Sequence, residues 1–455
     1  MAINTAVLDD FARYYGFHYA CIDAESLVQD FCVDMERGLR GDSSSLPMIP
    51  SHLSPISVVP PNKTVVALDA GGTNLRVSRI RFDEHGRPVP FITERAPMPG
   101  TQGRLSAAEF FDELAHAAAP CFSGAEAITG MGFCFSYEME VTKDGDGIPG
   151  AMSKEVDVPE LTGRSLGAGL REALAKRGIS APEHIVFLND TTATLLAGVT
   201  QIPVRPADKT RDSGEMAPDK IGVEAGELMG FILGTGVNTA YMERSIPKIN
   251  FNSCERPQIV VAESGAWAQR WQGLLDREFD AATTIPGFHI LEKAVAGAYL
   301  GGLVLLIYKR AIHEKLLCWA GQEALLQMSH LETRDLNEFL HRPLALEGVL
   351  GSLFSPADRD TVAAAVYLAS LVTERAALLS AGLIAGTVEH VGAGFNPLSP
   401  FRIAVEGTTF MRYHHLRESL EGHLHRLLCR KAPRFYRIAP VEHASLFGAA
   451  VAALA

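Results

Sequence analysis

Residues 65–77 read VVALDAGGTNLRV, an apolar run that ends in Asp69, turns through Gly71 and Gly72, and resumes as an alternating run. A glycine turn between strands aims several backbone N–H groups at one point and lets an anion approach closely. Thr73 and Asn74 add hydroxyl and amide donors, and Asp69 adds a carboxylate suited to holding a hydrated Mg²⁺. The stretch is not a P-loop, because no Gly-Lys-Ser/Thr follows and the next segment patterns as a strand. A plain hairpin uses the same residue types, so one such turn says little. A second occurs in GELMGFILGTGVNTAYMERSI, residues 226–246, where Gly234, Thr235 and Gly236 again separate two strands. The two lie a domain apart rather than in a short repeat. Together they could clamp a polyphosphate from both sides. Asn189-Asp190 closes the strand HIVFLND and opens the helix TTATLLAGVT. Taken alone, these residue types are also what a helix N-cap prefers.

The elements that position these residues follow from the pattern. The first forty residues look helical and lead into GLRGDSSSLPMIPSHLSPISVVPPNKT, whose serines and prolines cannot sustain a helix and imply an extended surface connector. From Thr64 two hairpins follow in succession, with a turn at DEHG. Residues 106–119 and 165–178 pattern as helices, and beyond residue 246 the chain reads as mostly helical over 289–345 and 360–390. A last strand, RIAVEG, precedes the helix RYHHLRESLEGHLHRLL, and the chain closes on the small-residue helix SLFGAAVAAL. The class is α/β.

At 455 residues the chain has room for two or more domains, and 47% hydrophobic with 21% charged residues is ordinary for a globular protein. A formal charge of −12 without a basic run argues against a nucleic-acid partner, since phosphate-backbone binding needs clustered Lys and Arg. The start, MAINTAVLDDFARYYGF, has acidic residues early and no basic-then-apolar leader. The longest uncharged apolar stretch, residues 294–308, is shorter than the ~20 residues of a membrane span and implies a buried helix. Seven cysteines (21, 32, 121, 134, 254, 318, 429) are scattered and never spaced C-x-x-C, which fits reduced thiols in a cytoplasmic setting and no zinc cage.

The motifs in order resemble those of the hexokinase family of the actin-like ATPase superfamily. LDAGGTNLRV is similar to its first phosphate motif and ILGTGVNTAYME to its second. GFCFSYEME resembles its sugar-binding Phe-Ser-Phe-Pro segment, VFLNDTTATLLA its catalytic Asn-Asp segment, and AESGAW its Glu-Trp-Gly-Ala-Phe segment. LEKAVAGAYLGGLV is similar to the Glu-Lys-x-x-x-Gly-x-Tyr-x-Gly helix and VEGTTF to the adenosine-side Asp-Gly-Thr. The matches span residues 47 to 450.

The resemblance implies an actin-like (ribonuclease H-like) two-lobed fold with the active site in the interlobe cleft. The implied small lobe is 64–198 plus 442–455 and the large lobe 199–441, with 1–63 a helix and connector packed on the large lobe. The implied reaction moves the γ-phosphoryl group of ATP to the 6-hydroxyl of a hexose, glucose above all, with Mg²⁺. Asp190 would accept the hydroxyl proton and Lys154 would stabilise charge at the transferring group. Ser136, Tyr137, Ser153, Lys154, Asn189, Asp190, Asn238, Glu263 and Glu292 would line the sugar pocket. Asp69 (through water on the metal), Gly71, Gly72, Thr73, Asn74, Arg76, Gly234, Thr235, Gly236, Gly407, Thr408, Ser445 and Gly448 would hold the nucleotide. The partners implied are a hexose and a nucleotide, with no nucleic acid and no membrane, in a monomer or homodimer of a glycolytic type of enzyme.

The pattern departs from the family in places. For Glu263 the rival is Glu255 in NSCERP, but ESGAW continues the family motif and ERPQI does not. Ser153 stands for a threonine and Glu406 for an aspartate. SYE replaces Ser-Phe-Pro, so a proline is lost and Glu138 gained. In the last helix a glycine has become Leu446 and a lysine Phe447, which puts added bulk beside the implied adenine pocket. That change favours one alternative, a hexokinase-like sugar sensor of weak or no activity. A zinc cluster typical of a separate bacterial sugar-kinase family is missing from the sequence, and Lys143 and Asp144 read as a solvated loop.

Overall fold

The computed structural model describes residues 4–54, 59–124, 126–137, 139–150, 156–200, 227–249, 257–430 and 432–455. The expectations for Ser153, Lys154, Glu138 and Glu255 therefore lie outside the described residues.

The strands are β1 (Ile49–Pro50), β2 (Thr64–Gly71), β3 (Asn74–Phe82), β4 (Pro88–Pro97), β5 (Met131–Phe135), β6 (Met139–Val141), β7 (Gly147–Pro149), β8 (Ile185–Leu188), β9 (Leu228–Leu233), β10 (Val237–Glu243), β11 (Gln258–Val261), β12 (Phe401–Glu406) and β13 (Tyr436–Pro440). They form a five-stranded sheet in the order β4-β3-β2-β5-β8, a six-stranded sheet in the order β1-β11-β10-β9-β12-β13, and the β6-β7 hairpin. In each large sheet an antiparallel hairpin carries a glycine turn (β2-β3 and β9-β10), and its first strand pairs in parallel with a strand contributed from further along the chain (β5 and β12). The sequence echo is thus a structural one. β2 is buried through Ala70 because it lies inside its sheet, whereas β4 at the edge is half exposed.

Between the two sheets lie two helices, Asp190–Val199 and Ala444–Ala452. They share one apolar core with residues of both sheets, among them Val65 and Cys134 from the first and Leu228, Ala240 and Ala404 from the second. Their spacing is set by Gly448, where a Cβ would collide with the backbone carbonyl of Ala193. Only glycine lets the two helices approach this closely. A second core lies on the outer face of the five-stranded sheet, under the helices Ala107–Ala118 and Leu166–Lys176. Ser106 and Glu109 close the first of these with a reciprocal capping box.

The largest core lies outside the six-stranded sheet, around the helix Arg359–Val391. That helix is long and apolar enough to cross a membrane, but 72% of its most apolar stretch is buried inside the protein, so it reads as a core helix. Leu27 and Phe31 of the Ala24–Arg40 helix seat against its Gly382 and Gly386, and β1 pins the connector to β11. In the same body Arg375 forks onto Asp276, with Nη1–Oδ2 2.6 Å and Nη2–Oδ1 2.7 Å, both groups buried.

Two expectations are corrected. The stretch 294–308 is not one helix but Ile290–Val295 and Leu300–His313. The break occurs where Gly297 N–H donates to the Gly234 carbonyl at 2.8 Å and Ala298 N–H to that of Thr235 at 3.1 Å. These bonds to the second glycine turn displace the helical ones. The helix expected from Arg412 starts only at Leu416: a short helix, Thr408–Arg412, ends at the extended Tyr413, and His415 opens the next in a left-handed conformation, φ 56°.

Candidate active site

The first glycine turn is a tight hairpin in which Gly71 pairs with Asn74 and only Gly72 and Thr73 form the loop. Gly72 has φ +55°, in the left-handed region that glycine enters without strain. The loop's carbonyls are both held: Thr73 O accepts from Met98 N–H at 2.9 Å and Gly72 O from the Tyr137 hydroxyl. Among the described residues the N–H groups of Gly72 and Thr73 have no partner. The loop therefore offers donors and hides acceptors, which is what an anion needs.

Asp69, buried near the end of β2, takes both Nε and Nη2 of Arg76 on its Oδ2, with Nε at 2.9 Å. Among the described residues its Oδ1 makes no hydrogen bond to protein, and it faces the Gly71–Ser136 side. Burial pushes the Asp69 carboxyl up while Arg76 and then His443 pull it down. Asp69, Gly71, Asn74, Arg76, Ser136 and Ser445 line one cavity of about 460 Å³, together with Leu75 and Arg95. Six residues expected from sequence thus meet in one place. Arg95 was not among them, although its position opposite Arg76 in the β3-β4 register could have flagged it.

Asn189 and Asp190 sit where the sequence placed them, at the end of β8 and the first turn of the following helix. Asn189 is both an expected sugar residue and a helix cap: its Oδ1 accepts from Thr191 N–H at 2.8 Å. Asp190 Oδ1 accepts from the Thr191 hydroxyl at 3.1 Å. Burial pushes the Asp190 carboxyl up, Thr191 pulls it down, and the Asp69 charge pushes it up again. A third carboxylate, Glu406 at the end of β12, faces the same place. Burial first, then the charges of Asp190 and Asp69, push Glu406 up to about 7. Thr194 Oγ1 lies 3.0 Å from the Asp190 carbonyl and 3.4 Å from Glu406 Oε2. Sequence reasoning noted Glu406 only as a replacement, since nothing local announces that its carboxyl meets two others.

The second glycine turn is held from behind. Gly234 O accepts from Gly297 N–H at 2.8 Å and from the Thr409 hydroxyl at 2.7 Å, which leaves Thr235 exposed at the tip. Gly407, φ +127°, lies so close to Leu233 that a Cβ would strike its carbonyl. Thr408 stays exposed beside it. The residues of this half that the resemblance assigns to the sugar also gather. Asn238 Nδ2 donates to Glu263 Oε1 at 2.9 Å, and Asn238 Oδ1 accepts from Thr239 and Ser264 N–H at 2.8 and 3.2 Å. Glu292 Oε2 accepts from Val237 N–H at 3.1 Å, packed against Gly236 and Gly265, and burial pushes its carboxyl up.

Three residues make contacts that the sequence did not announce. Tyr137 turns its hydroxyl to the Gly72 carbonyl of the first glycine turn. Gly448 packs closely against Ala193 between the two helices. Leu446 is buried in the core between the sheets, with Phe447 packed on that core, so the added bulk at Leu446 points inward.

The sequence matches hexokinase family models over residues 15–200 and 228–455. Hexokinase-1 of Oryza sativa subsp. japonica is 28% identical over 93% of this chain and 85% of its own length. Hexokinase-2 of Homo sapiens is 25% identical over 93% of this chain and 46% of its own length, so the chain spans about half of that protein. The hexokinase from Schistosoma mansoni complexed with glucose superposes with a TM-score of 0.74 at 21% identity, covering 99% of both chains, which establishes the shared actin-like fold. Matched in order along nearly its whole length, the chain belongs to the hexokinase family.

Proposed function

We propose that this sugar kinase transfers the γ-phosphoryl group of ATP to the 6-hydroxyl of a hexose, with glucose the acceptor favoured. The observation that carries the reading is the placement of Asp190: a carboxylate without a cationic partner among the described residues, at a helix start, within electrostatic reach of the first phosphate turn through Asp69 and of the second through Glu406. An ordinary aspartate does not deprotonate a free alcohol. It can accept the proton once phosphorus has begun to bond to the oxygen, and burial makes Asp190 a better acceptor. Asn189, Asn238, Glu263 and Glu292, with Ser136 from the other side, would fix the hydroxyls, and an unmatched hydroxyl there would be costly. Ser153 and Lys154 join this set on sequence grounds alone. The N–H groups of Gly72 and Thr73 and the exposed Thr235 would take phosphate oxygens.

The donor set suits Mg²⁺. Among the described residues no three carboxylate, His or Cys side chains form a ready metal cage, and Mg²⁺ is ordinarily held by one or two carboxylates, waters and substrate phosphates. Asp69 Oδ1 would hold it through water, where it would neutralise charge on the phosphates. The small lobe is taken as 64–198 with 442–455 and the large lobe as 199–441, closing on the sugar to exclude water. The inward burial of Leu446 supports the kinase over a sugar sensor. Scattered thiols support a reducing, cytoplasmic setting.

The test is ADP release from Mg-ATP with glucose, mannose, fructose, galactose or no sugar. Release that depends on one or two sugars is expected. If no sugar stimulates it while glucose raises the melting temperature, the sensor reading replaces this one.

A further inference from the structure

We propose that Tyr137 is a positioning residue that couples seating of the sugar to the phosphate turn; this rests on the kinase reading above. Tyr137 follows Ser136 directly as the chain leaves β5, so it belongs to the sugar-side segment. Its hydroxyl nevertheless donates to the carbonyl oxygen of Gly72, across 65 residues of chain. Its ring packs on Phe135, centroids 4.9 Å apart, and Ser136 N–H donates to Ala70 O at 3.1 Å. The segment is thus tied to the turn at Gly72 and to the strand that leads into it at Ala70.

The tie at Gly72 has a specific consequence. A two-residue loop can orient its peptide planes either way, and an anion site forms only when the N–H groups face the ligand and the carbonyls do not. Here Met98 N–H fixes the Thr73 carbonyl and Tyr137 fixes the Gly72 carbonyl, leaving both N–H groups open. The Met98 anchor is backbone and survives any side-chain change. The Tyr137 anchor is a single hydroxyl that the phenylalanine of the resembled motif does not have. This chain also carries Glu138 where that motif has a stiffening proline, so the tyrosine supplies a restraint at the place where one was lost. A sugar that presses on Ser136 and Tyr137 would transmit its presence to the turn, and a phosphate on the turn would in return hold the sugar segment, as linkage requires.

The experiment is Tyr137→Phe, which keeps the ring and removes one oxygen. KM for Mg-ATP at saturating hexose is expected to rise about fivefold, the equivalent of about 1 kcal/mol for a hydrogen bond, and to exceed the change in hexose KM by that factor. The enhancement of nucleotide affinity by bound hexose should fall equally. Unchanged constants, or nucleotide and hexose constants that move together with a lowered melting temperature, would overturn the proposal. If the wild-type protein shows no turnover, the kinase reading fails first, and calorimetric binding of inorganic tripolyphosphate then decides. Weaker binding to Tyr137→Phe than to wild type supports the coupling, whereas equal binding, or none to the wild type, sinks it.

Discussion

Glu406→Gln should make the protein more stable, and only at the higher pH values. Glu406 ends β12 half-buried, and burial first, then the charges of Asp190 and Asp69, raise its pKa from 4.5 to about 7. Between those two pH values the folded protein keeps a proton that the unfolded chain has released. Stability therefore falls as pH rises, by up to about 1.4 kcal/mol per pH unit, and the loss is complete above about 7. The gap corresponds to about 3 kcal/mol, reduced in practice because part of the carboxyl still meets water. Glutamine copies the shape of the protonated acid and never ionises. Wild type and variant should be equally stable near pH 4.5, and the variant should lead by about 2 kcal/mol at pH 8, a melting difference of roughly 4 °C or more on the scaling for large domains. Calorimetry of both proteins at pH 5, 6, 7 and 8 measures this. A second pair made in the Asp190→Asn background should show a smaller gap, because one of the two repelling charges is gone. A difference that does not change with pH, or a wild type that gains on the variant as pH rises, would refute the reasoning.

The other predictions concern the same framework. Asp190→Ala should cut turnover by about 10²–10⁴-fold, the range for loss of a general base, while calorimetry still detects hexose binding. Gly448→Ala drives a methyl group into the Ala193 backbone; the helix that begins at Asp190 must shift, so stability should fall by about 1–3 kcal/mol and turnover by tenfold or more, read by urea unfolding and the ADP assay. Arg375→Met strands the buried Asp276 carboxylate and should cost about 3–5 kcal/mol, part of it recovered when Asp276→Leu is added, with the hexose KM of the folded variant unchanged.

Much of the site was legible in the chain because its parts are local. A glycine turn between two strands needs only the residues of the turn, and Asn189-Asp190 announces a strand end and a helix start within two positions. The structure brings Asp69, Gly71 and Asn74 of the first turn around one cavity with Arg76, Ser136 and Ser445, which the family resemblance named, and it sets Asn238, Glu263 and Glu292, also named by resemblance, on and beside the strand that leaves the second turn. What was misjudged depended on contacts distant in sequence. Residues 294–308 carry an unbroken apolar pattern, but the carbonyls of Gly234 and Thr235 compete for the N–H groups of Gly297 and Ala298 and split the helix. Leu446 reads as bulk in a binding pocket until the core between the sheets is seen to take it.

The sequence by itself determined which backbone donors and carboxylates exist and on which elements they ride, since turn chemistry, capping and hydrophobic period act over a few residues. Only the tertiary structure decided that Asp69, Asp190 and Glu406 face one another, that Gly448 sets the depth of the Asp190 helix, and that the Tyr137 hydroxyl reaches the Gly72 carbonyl. Charge coupling and close packing act through space, and the partners here stand 65 to more than 300 positions apart along the chain.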